Sequence, residues 1–551
     1  MSSPEVAFNL STVFDTVASA VPDNEVLVWR DRRFTYRQMN ERVDRVADYL
    51  AAQGIGCHTP RSELAGHESG QDHVGLYLSN CNEYLECMIG AYRARAAPFN
   101  INYRYVTEEL RYLFEDARPR VLVYHARFGP QVSEIRDRLP ESCLLIQVAD
   151  DSGNALLSGA VDYETVVRNR ALAERSSTPT GDDLYVIYTG GTTGFPKAVL
   201  WRQDDAFVTS MGGTPFGSQQ AYASYQELFS SVRAAGGGPT LLMTAPFMHG
   251  AAQWSSFHMI SSGGKIVLPD DGARLEWGDA LRVAAREHVV SIPVVGDAMA
   301  RGLVEELRRH SHDLGGVAAI NNGGAPLSPA VRESVLEALP HVMVLDSVGS
   351  SETGIQMNST ATAEAGDTVG VFSQDAETTV VDDLFERELV PGEGPGWLAS
   401  KGRVPLGYLG DAAKTARTFP TIAGTRYSLP GDRATLRADG RIQLLGRDAT
   451  TINSGGEKIY AEEVERAVAA HPQVRDVIVV GRPSEQWGFE PVAIVQLADE
   501  NTVTDAELLA TSGRHLAGYK VPKAILRRPE IVRSPTGKAD YRWASEQVTV
   551  D

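Results

Sequence analysis

Cysteine is scarce in this chain. There are four, Cys57, Cys81, Cys87 and Cys143, all in the first third and none in a CxxC pair. That argues against a disulfide framework or a zinc ribbon and fits a reducing cytoplasm. Long apolar runs are also missing, since no stretch approaches the ~20 residues a membrane helix requires. The opening residues Met1-Ser2-Ser3-Pro4-Glu5 place no basic segment before an apolar one, so no secretory signal is expected. Positive charge is in deficit: the formal net charge is −19, which speaks against nucleic acid or an anionic membrane surface as partner. An anionic substrate therefore gains nothing from the overall field and depends on a few local cations. Internal repeats and low-complexity tracts are absent.

What the chain does have is length and alternation. Its 551 residues exceed one ordinary domain. Strand-like and helix-like segments alternate through the first 175 residues: His73 to Leu78, Asn82 to Ala96, a helix capped by Thr107, then Val121 to Tyr124. Lys265 to Leu268 and Val342 to Leu345 read as further strands, the second running into a polar loop, and Pro329 sits in the first turn of a helix. Such α/β alternation predicts helix-covered, mainly parallel sheets. Cys57 to Gln71 is polar and reads as a surface insertion, and its Cys57, His58, His67 and His73 match no common metal-ligand spacing. From about residue 450 the texture changes to a compact α+β unit, with a helix at Ala461 to Ala470, strands at Val474 to Val480 and Val492 to Leu497, and a Thr504/Glu507 capping box. The expected organisation is a large α/β domain over residues 1–448 and a small α+β domain over 449–551.

The most informative segment is Tyr188-Thr189-Gly190-Gly191-Thr192-Thr193-Gly194-Phe195-Pro196-Lys197, which follows the strand-like run Leu184 to Tyr188. Glycines let backbone N–H groups approach an anion, and two kinds of donor, hydroxyl and ammonium, join them. It is not a Walker A loop, because Phe195 and Pro196 precede Lys197 and Ala198 follows it. Six further segments lie downstream in order: Pro246 to Gly250, containing His249; Asn321 to Leu327, containing Gly323, Gly324 and Ala325; Asp346 to Gly354, containing Val348, Gly349, Ser350, Ser351 and Glu352; Ser428 to Asp432; Gly446 to Lys458, containing Arg447, Ser454, Gly455 and Gly456; and Ser534 to Arg542, containing Lys538. A loop at the carboxyl end of a strand is where α/β folds bind ligands, and a carboxylate there can hold Mg2+ through oxygen. Taken singly, each segment reads equally well as a turn, a core histidine or a solvated charge.

Together, in this order and across essentially the whole chain, the motifs resemble the adenylate-forming superfamily of acyl-CoA synthetases, and most closely the actinobacterial fatty-acid and steroid-acid CoA ligases. The resemblance implies an enzyme in which a carboxylate attacks the α-phosphate of ATP, releasing pyrophosphate, and CoA then displaces AMP. It implies that Thr189 to Lys197 embraces the β- and γ-phosphates, that Glu352 and Thr189 help place Mg2+, and that Ser351 meets the α-phosphate. Asp432 would hold the ribose, with Arg447 near it, and Lys538 would bridge carboxylate and α-phosphate. Ser454, Gly455 and Gly456 would border the pantetheine path, and His249, Trp254, Gly323 and Gly324 would wall the acyl and nucleotide pocket. The small domain would rotate about a hinge between the two half-reactions.

Three residues depart from the family pattern. Val348 replaces the aromatic that stacks on adenine, Ala449 replaces the usual Asp or Lys of the hinge, and Ala198 stands where glycine is common. The resulting expectation is a cytoplasmic ATP- and CoA-dependent ligase for a medium- to long-chain fatty acid or a steroid side-chain acid, with no integral membrane association; a homodimer is compatible with it. The alternatives are an acyl-AMP ligase that loads a carrier protein, and a catalytically silent nucleotide-binding protein.

Overall fold

The computed structural model describes residues 7–168, 178–189, 196–215, 217–218, 220–363, 370–373, 377–454, 457–484, 487–498, 503–533 and 538–548. Two helix-covered sheets form the frame. One has five strands in the order Ala97–Asn100, His73–Tyr77, Val121–His125, Leu144–Val148, Ala160–Asp162, every pair parallel. The other has eight strands, from Gly354–Ala361 at one edge to Arg32–Thr35 at the other. Its inner pairs are parallel and both edges close as antiparallel hairpins. Buried runs such as Val-Leu-Val-Tyr-His, with both faces covered, are what parallel strands require. The helices Tyr36–Ala52, Asn82–Arg93 and Gly250–Ser261 lie in the layer between the sheets, where Met39, Val43, Tyr84, Leu85, Met88, Phe257 and Ile260 join one apolar cluster.

The elements expected from the sequence are present, with two informative differences. The helix Thr107–Ala117 starts after Val106, not after a threonine cap; Glu109 Oε2 accepts the Val106 N–H at 2.9 Å and supplies the cap instead. The polar stretch after Leu345 is not a loop. It continues the strand Met343–Ser350, held in register against Gly354–Ala361, so Asp346 to Ser350 are strand residues despite their polarity. Tertiary pairing overrides their weak local preference for strand.

A seven-stranded antiparallel sheet built from residues 371–447 was not foreseen. It carries the pair Asp432–Leu436 and Ile442–Arg447. A three-stranded sheet joins Leu184–Thr189, Lys197–Arg202 and Gly407–Tyr408. Beyond these lies a small C-terminal domain. Its five-stranded sheet carries the helices Ala461–Ala469, Asp505–Gly513 and Tyr541–Val548 and has an apolar cluster on each face. Thr504 and Glu507 form the expected capping box. No described helix is long and apolar enough to cross a membrane.

Candidate active site

The strands of the eight-stranded sheet deliver their carboxyl ends to one cleft. Ala319–Gly323 ends at Gly323 and Met343–Ser350 ends at Ser350, while the 246–249 segment follows Thr240–Leu242. Over Gly323 and Gly324 there is room. A methyl group on Gly323 would meet only the Ser347 carbonyl at 3.7 Å, and one on Gly324 only Val295 Cγ1 at 3.7 Å. Gly324 also has φ +82°, which strains any L side chain. Asn322 fixes this turn, donating to the Ala325 carbonyl at 3.0 Å and to Asp346 Oδ1 at 2.7 Å.

Glu352 sits on a hairpin tip that two glycines permit. A Cβ on Gly349 would collide with the Gly354 carbonyl, and one on Gly354, at φ +69°, with Ser210 Oγ. The tip is pinned from both sides, by Trp201 Nε1 donating to the Ser351 carbonyl at 2.8 Å and by Ser428 Oγ donating to the Glu352 carbonyl. The Glu352 carboxylate is then aimed by Tyr408, whose hydroxyl donates to Oε1 at 2.9 Å. Ser350 is held by its own turn, its N–H donating to Thr353 Oγ1 at 3.0 Å. Val348 is half-buried and packs against the cluster containing Met357 and Phe372, so its side chain is an apolar wall rather than a stacking plate.

The Gly190 to Gly194 loop, with Thr192 and Thr193, lies outside the described residues, as do Gly455 and Gly456. Both ends of this loop are defined. Thr189 stands opposite Lys197 across the hairpin. Lys197 Nζ lies 2.6 Å from Asp411 Oδ2, and this contact, followed by the Lys414 N–H, holds the Asp411 carboxyl below its ordinary range. Lys414 Nζ lies 4.1 Å from the Tyr408 ring centroid, a cation–π contact. Burial, and then the Lys197 charge, lower the Lys414 pKa. Asn100 ties this hairpin to the histidine segment, its amide donating to the Tyr188 carbonyl at 2.8 Å and to the Met248 carbonyl at 2.6 Å.

The last four groups come from three parts of the chain. Asp432 and Arg447 are direct partners in the antiparallel pair, with Arg447 Nε 3.4 Å from Asp432 Oδ1. Lys538 reaches them from the C-terminal domain. Surrounding protein lowers its pKa, and Arg447 adds repulsion, while Glu352 and Asp432 oppose both. The Asp432 carboxyl is pushed up by burial against the pull of Arg447 and Lys538. The site is open to water: Lys538 is exposed and Arg447 keeps 42% of its side-chain surface accessible, so solvent moderates these shifts. His249 precedes the helix Gly250–Ser261, and its Nε2 is buried with no hydrogen-bond partner. Burial, then Lys538 and Arg104, depress its pKa to about 4, so the ring is neutral at physiological pH.

The fold thus gathers Glu352, Asp432, Arg447, Lys538 and His249 into one electrostatic neighbourhood. Ser454 is not in it; this residue is buried in the C-terminal sheet, paired with Glu457 and Gly488. Trp254 is buried in the large apolar cluster, which also takes Phe247, packed 5.3 Å from Tyr84. Reading the sequence missed Tyr408, Asp411, Lys414 and Asn100. The run Gly407-Tyr408-Leu409-Gly410-Asp411 was visible as a turn signal, but nothing local tied it to Glu352. His58 and His73 are engaged elsewhere, on Asp72 at 2.6 Å and on the Ala117 carbonyl at 2.7 Å.

Comparison with known proteins places this geometry in context. The family model described as AMP-binding enzyme matches residues 14–409, and the AMP-binding enzyme C-terminal domain matches residues 463–538. The medium-chain acyl-CoA ligase Mig of Mycobacterium avium is 52% identical over 553 residues, 99% of each chain. The 3-oxocholest-4-en-26-oate--CoA ligase of Rhodococcus rhodochrous is 37% identical, over 98% of this chain and 96% of that protein. Among solved structures, the anthranilate CoA ligase AuaEII in complex with anthranoyl-AMP superposes with a TM-score of 0.79 at 20% identity, over 98% of each chain, which shows a shared fold. The chain belongs to the AMP-binding enzyme family, and carries both its large domain and its C-terminal domain.

Proposed function

We propose that this protein is an AMP-forming acyl-CoA ligase for a hydrophobic carboxylic acid. The observation that carries the reading is that Lys538, from the C-terminal domain, lies within electrostatic reach of Glu352, Asp432 and Arg447. A carboxylate approaching a triphosphate must overcome like-charge repulsion, and preorganised cations lower that barrier. In the proposed first step a carboxylate oxygen bonds to the α-phosphorus of ATP and the bond to pyrophosphate breaks. Lys538 aligns and screens the two anions. Asp432 accepts from the ribose hydroxyls, Arg447 remains beside it, and Thr189, Lys197 and the loop between them take the outer phosphates. Lys197 then exchanges Asp411 for phosphate oxygen, or shares itself between them. In the second step the CoA sulfur bonds to the acyl carbon and AMP leaves, while the thiol proton passes to solvent.

Glu352 fits a role in holding Mg2+: it is a hard oxygen donor whose backbone is pinned and whose Oε1 is oriented by Tyr408. Mg2+ characteristically takes one or two carboxylates and completes its shell with water and substrate phosphates. When bound, it would offset charge on the triphosphate. No cluster of three or more acidic, histidine or cysteine ligands occurs among the described residues, which accords with a metal brought in with the nucleotide. The Gly323–Gly324 shelf, beside the strand that carries Val348, is the proposed seat of the adenine.

The domain boundary is proposed at 448/449, within the short turn Asp448–Thr450, with Ala449 as the pivot. Ser454, Gly455 and Gly456 are proposed to border the pantetheine path after rotation, which accounts for the distance of Ser454 from the nucleotide cleft. Medium-chain fatty acids and steroid side-chain acids are the substrates of first choice, because the relatives named above carry those names. The same names count against a carrier protein as acceptor. The cytoplasm is the proposed compartment. The test is a mass-spectrometric screen with ATP, Mg2+, CoA and a panel of fatty, aromatic and steroid acids. An acyl-CoA product with AMP supports the reading; nucleotide binding without turnover on any acid refutes it.

A further inference from the structure

The helix Ala461–Ala469 grips the backbone of the strand that leads to the proposed pivot. Glu462, half-buried, accepts the Arg447 N–H through Oε1 at 3.3 Å, and both its oxygens lie 3.0 Å from the Thr450 hydroxyl that donates to them. One turn later Arg466 donates from Nη2 to the Leu444 carbonyl at 2.9 Å and to the Leu445 carbonyl at 3.4 Å. Positions four apart share a helix face. An acid therefore satisfies an N–H and a base satisfies carbonyls on the last residues of the strand Ile442–Arg447. Gly446 is shaped for this contact, because at φ +145° a Cβ there would collide with the Glu462 carboxylate.

The grip spans the turn Asp448–Thr450. Arg447 precedes the turn and faces Asp432, whereas Thr450 is the last residue of the turn and Glu462 lies beyond it. A rigid rotation about that turn carries Thr450 along with Glu462 but pulls Glu462 away from the Arg447 N–H, and Arg466 away from both carbonyls. These contacts therefore belong to the orientation in which Lys538 stands in the cleft. Arg475, 3.3 Å from Glu305 on the helix Gly296–Arg309, is a second tie of the same orientation, at the exposed rim. Such a rim pair contributes little, whereas the grip engages backbone groups beside the turn itself.

We propose that Glu462 and Arg466 form a latch on the backbone of Leu444 to Arg447 that holds the C-terminal domain in the adenylating orientation and must open before the thioester step. The inference rests on the acyl-CoA ligase reading above. Both are positioning residues that act through the pivot rather than on the reacting atoms.

The test compares Glu462→Ala, Glu462→Gln and Arg466→Ala with the unmodified protein. Adenylation is read as ATP–pyrophosphate exchange with dodecanoate, and the second step as CoA-dependent consumption of supplied dodecanoyl-adenylate. Glu462→Ala and Arg466→Ala slow adenylation about tenfold, the scale of a lost charge-assisted hydrogen bond, while the thioester step is unchanged or faster. Glu462→Gln, which keeps an acceptor for the Arg447 N–H, restores most of the adenylation rate. Equal losses in both half-reactions, or a Gln variant as slow as Ala, overturn the latch. Hydrogen exchange of peptides covering residues 444–450 gives a readout free of catalysis: exchange accelerates in Glu462→Ala, and unchanged exchange overturns the latch whatever the activity. An unmodified protein inactive on every acid, with the exchange effect present, refutes the ligase reading and leaves the latch standing.

Discussion

Replacing Lys538 with alanine separates the two half-reactions more sharply than any other single change. The ammonium is a cation that the C-terminal domain contributes to the cluster of Glu352, Asp432 and Arg447. Two unit charges ~4 Å apart interact by about 4 kcal/mol at an effective dielectric constant of ~20. Part of that attraction to substrate anions is offset by the Arg447 repulsion and by the crowding that lower the Lys538 pKa. What remains is comparable to the loss of one preorganised donor at a charged transition state, about 10²- to 10³-fold in rate. ATP–pyrophosphate exchange should therefore fall by that factor. CoA attack on a supplied acyl-adenylate should fall less than about threefold, because the proposed rotation would withdraw Lys538 before that step. The two rates are measured on the same preparation, so a folding defect would lower both. Equal losses would refute the assignment of Lys538 to the first step, and unchanged exchange would refute its contact with the reacting anions.

Glu352→Ala should cut adenylation by a similar factor and raise the Mg2+ concentration needed for half-maximal rate. Tyr408→Phe, which removes only the 2.9 Å hydrogen bond to Glu352, should show the same Mg2+ effect at a few-fold scale; an unchanged Mg2+ titration in both removes Glu352 from the metal site. The pH dependence follows from the depressed Lys538 pKa. The ammonium is the active form, so kcat/KM for exchange is full while Lys538 is protonated and is lost as pH rises through a value below that of an ordinary lysine. Lys538→Arg should abolish that alkaline limb, and a limb that persists there would assign it to another group. Gly354→Ala should destabilise the protein by about 2–4 kcal/mol, since its φ of +69° and the Ser210 hydroxyl both oppose a side chain; the thermal unfolding midpoint reads this, and an unshifted midpoint contradicts it.

The parallel sheets were legible because their strands are short apolar runs bounded by breakers, as at Val121–His125. The antiparallel sheet of residues 371–447 was not. Many of its strands are short, such as Val371–Phe372 and Gly407–Tyr408 among the segments around it, and their identity as strands comes from partners distant in sequence. The polar stretch Asp346 to Ser350 illustrates the same limit, because only pairing with Gly354–Ala361 makes it a strand. The site residues divide in the same way. Glu352, Asp432, Arg447 and Lys538 stood out because each lies in a glycine-bearing motif whose order carries the resemblance. Tyr408 and Asn100 did not, because what each does is set by a contact made far along the chain, to Glu352 and to Met248.

The sequence by itself determined the family, the two-domain organisation and the chemistry-bearing motifs, since glycine placement, hydrophobic period and motif order are local properties of the chain. Only the tertiary structure decided that Lys538 lies within electrostatic reach of Asp432 and Arg447, that burial holds His249 neutral, and that Glu462 accepts the Arg447 N–H. Those facts depend on which surfaces the packed domains bring together, and the environment of a charge is a property of everything around it rather than of its neighbours in sequence.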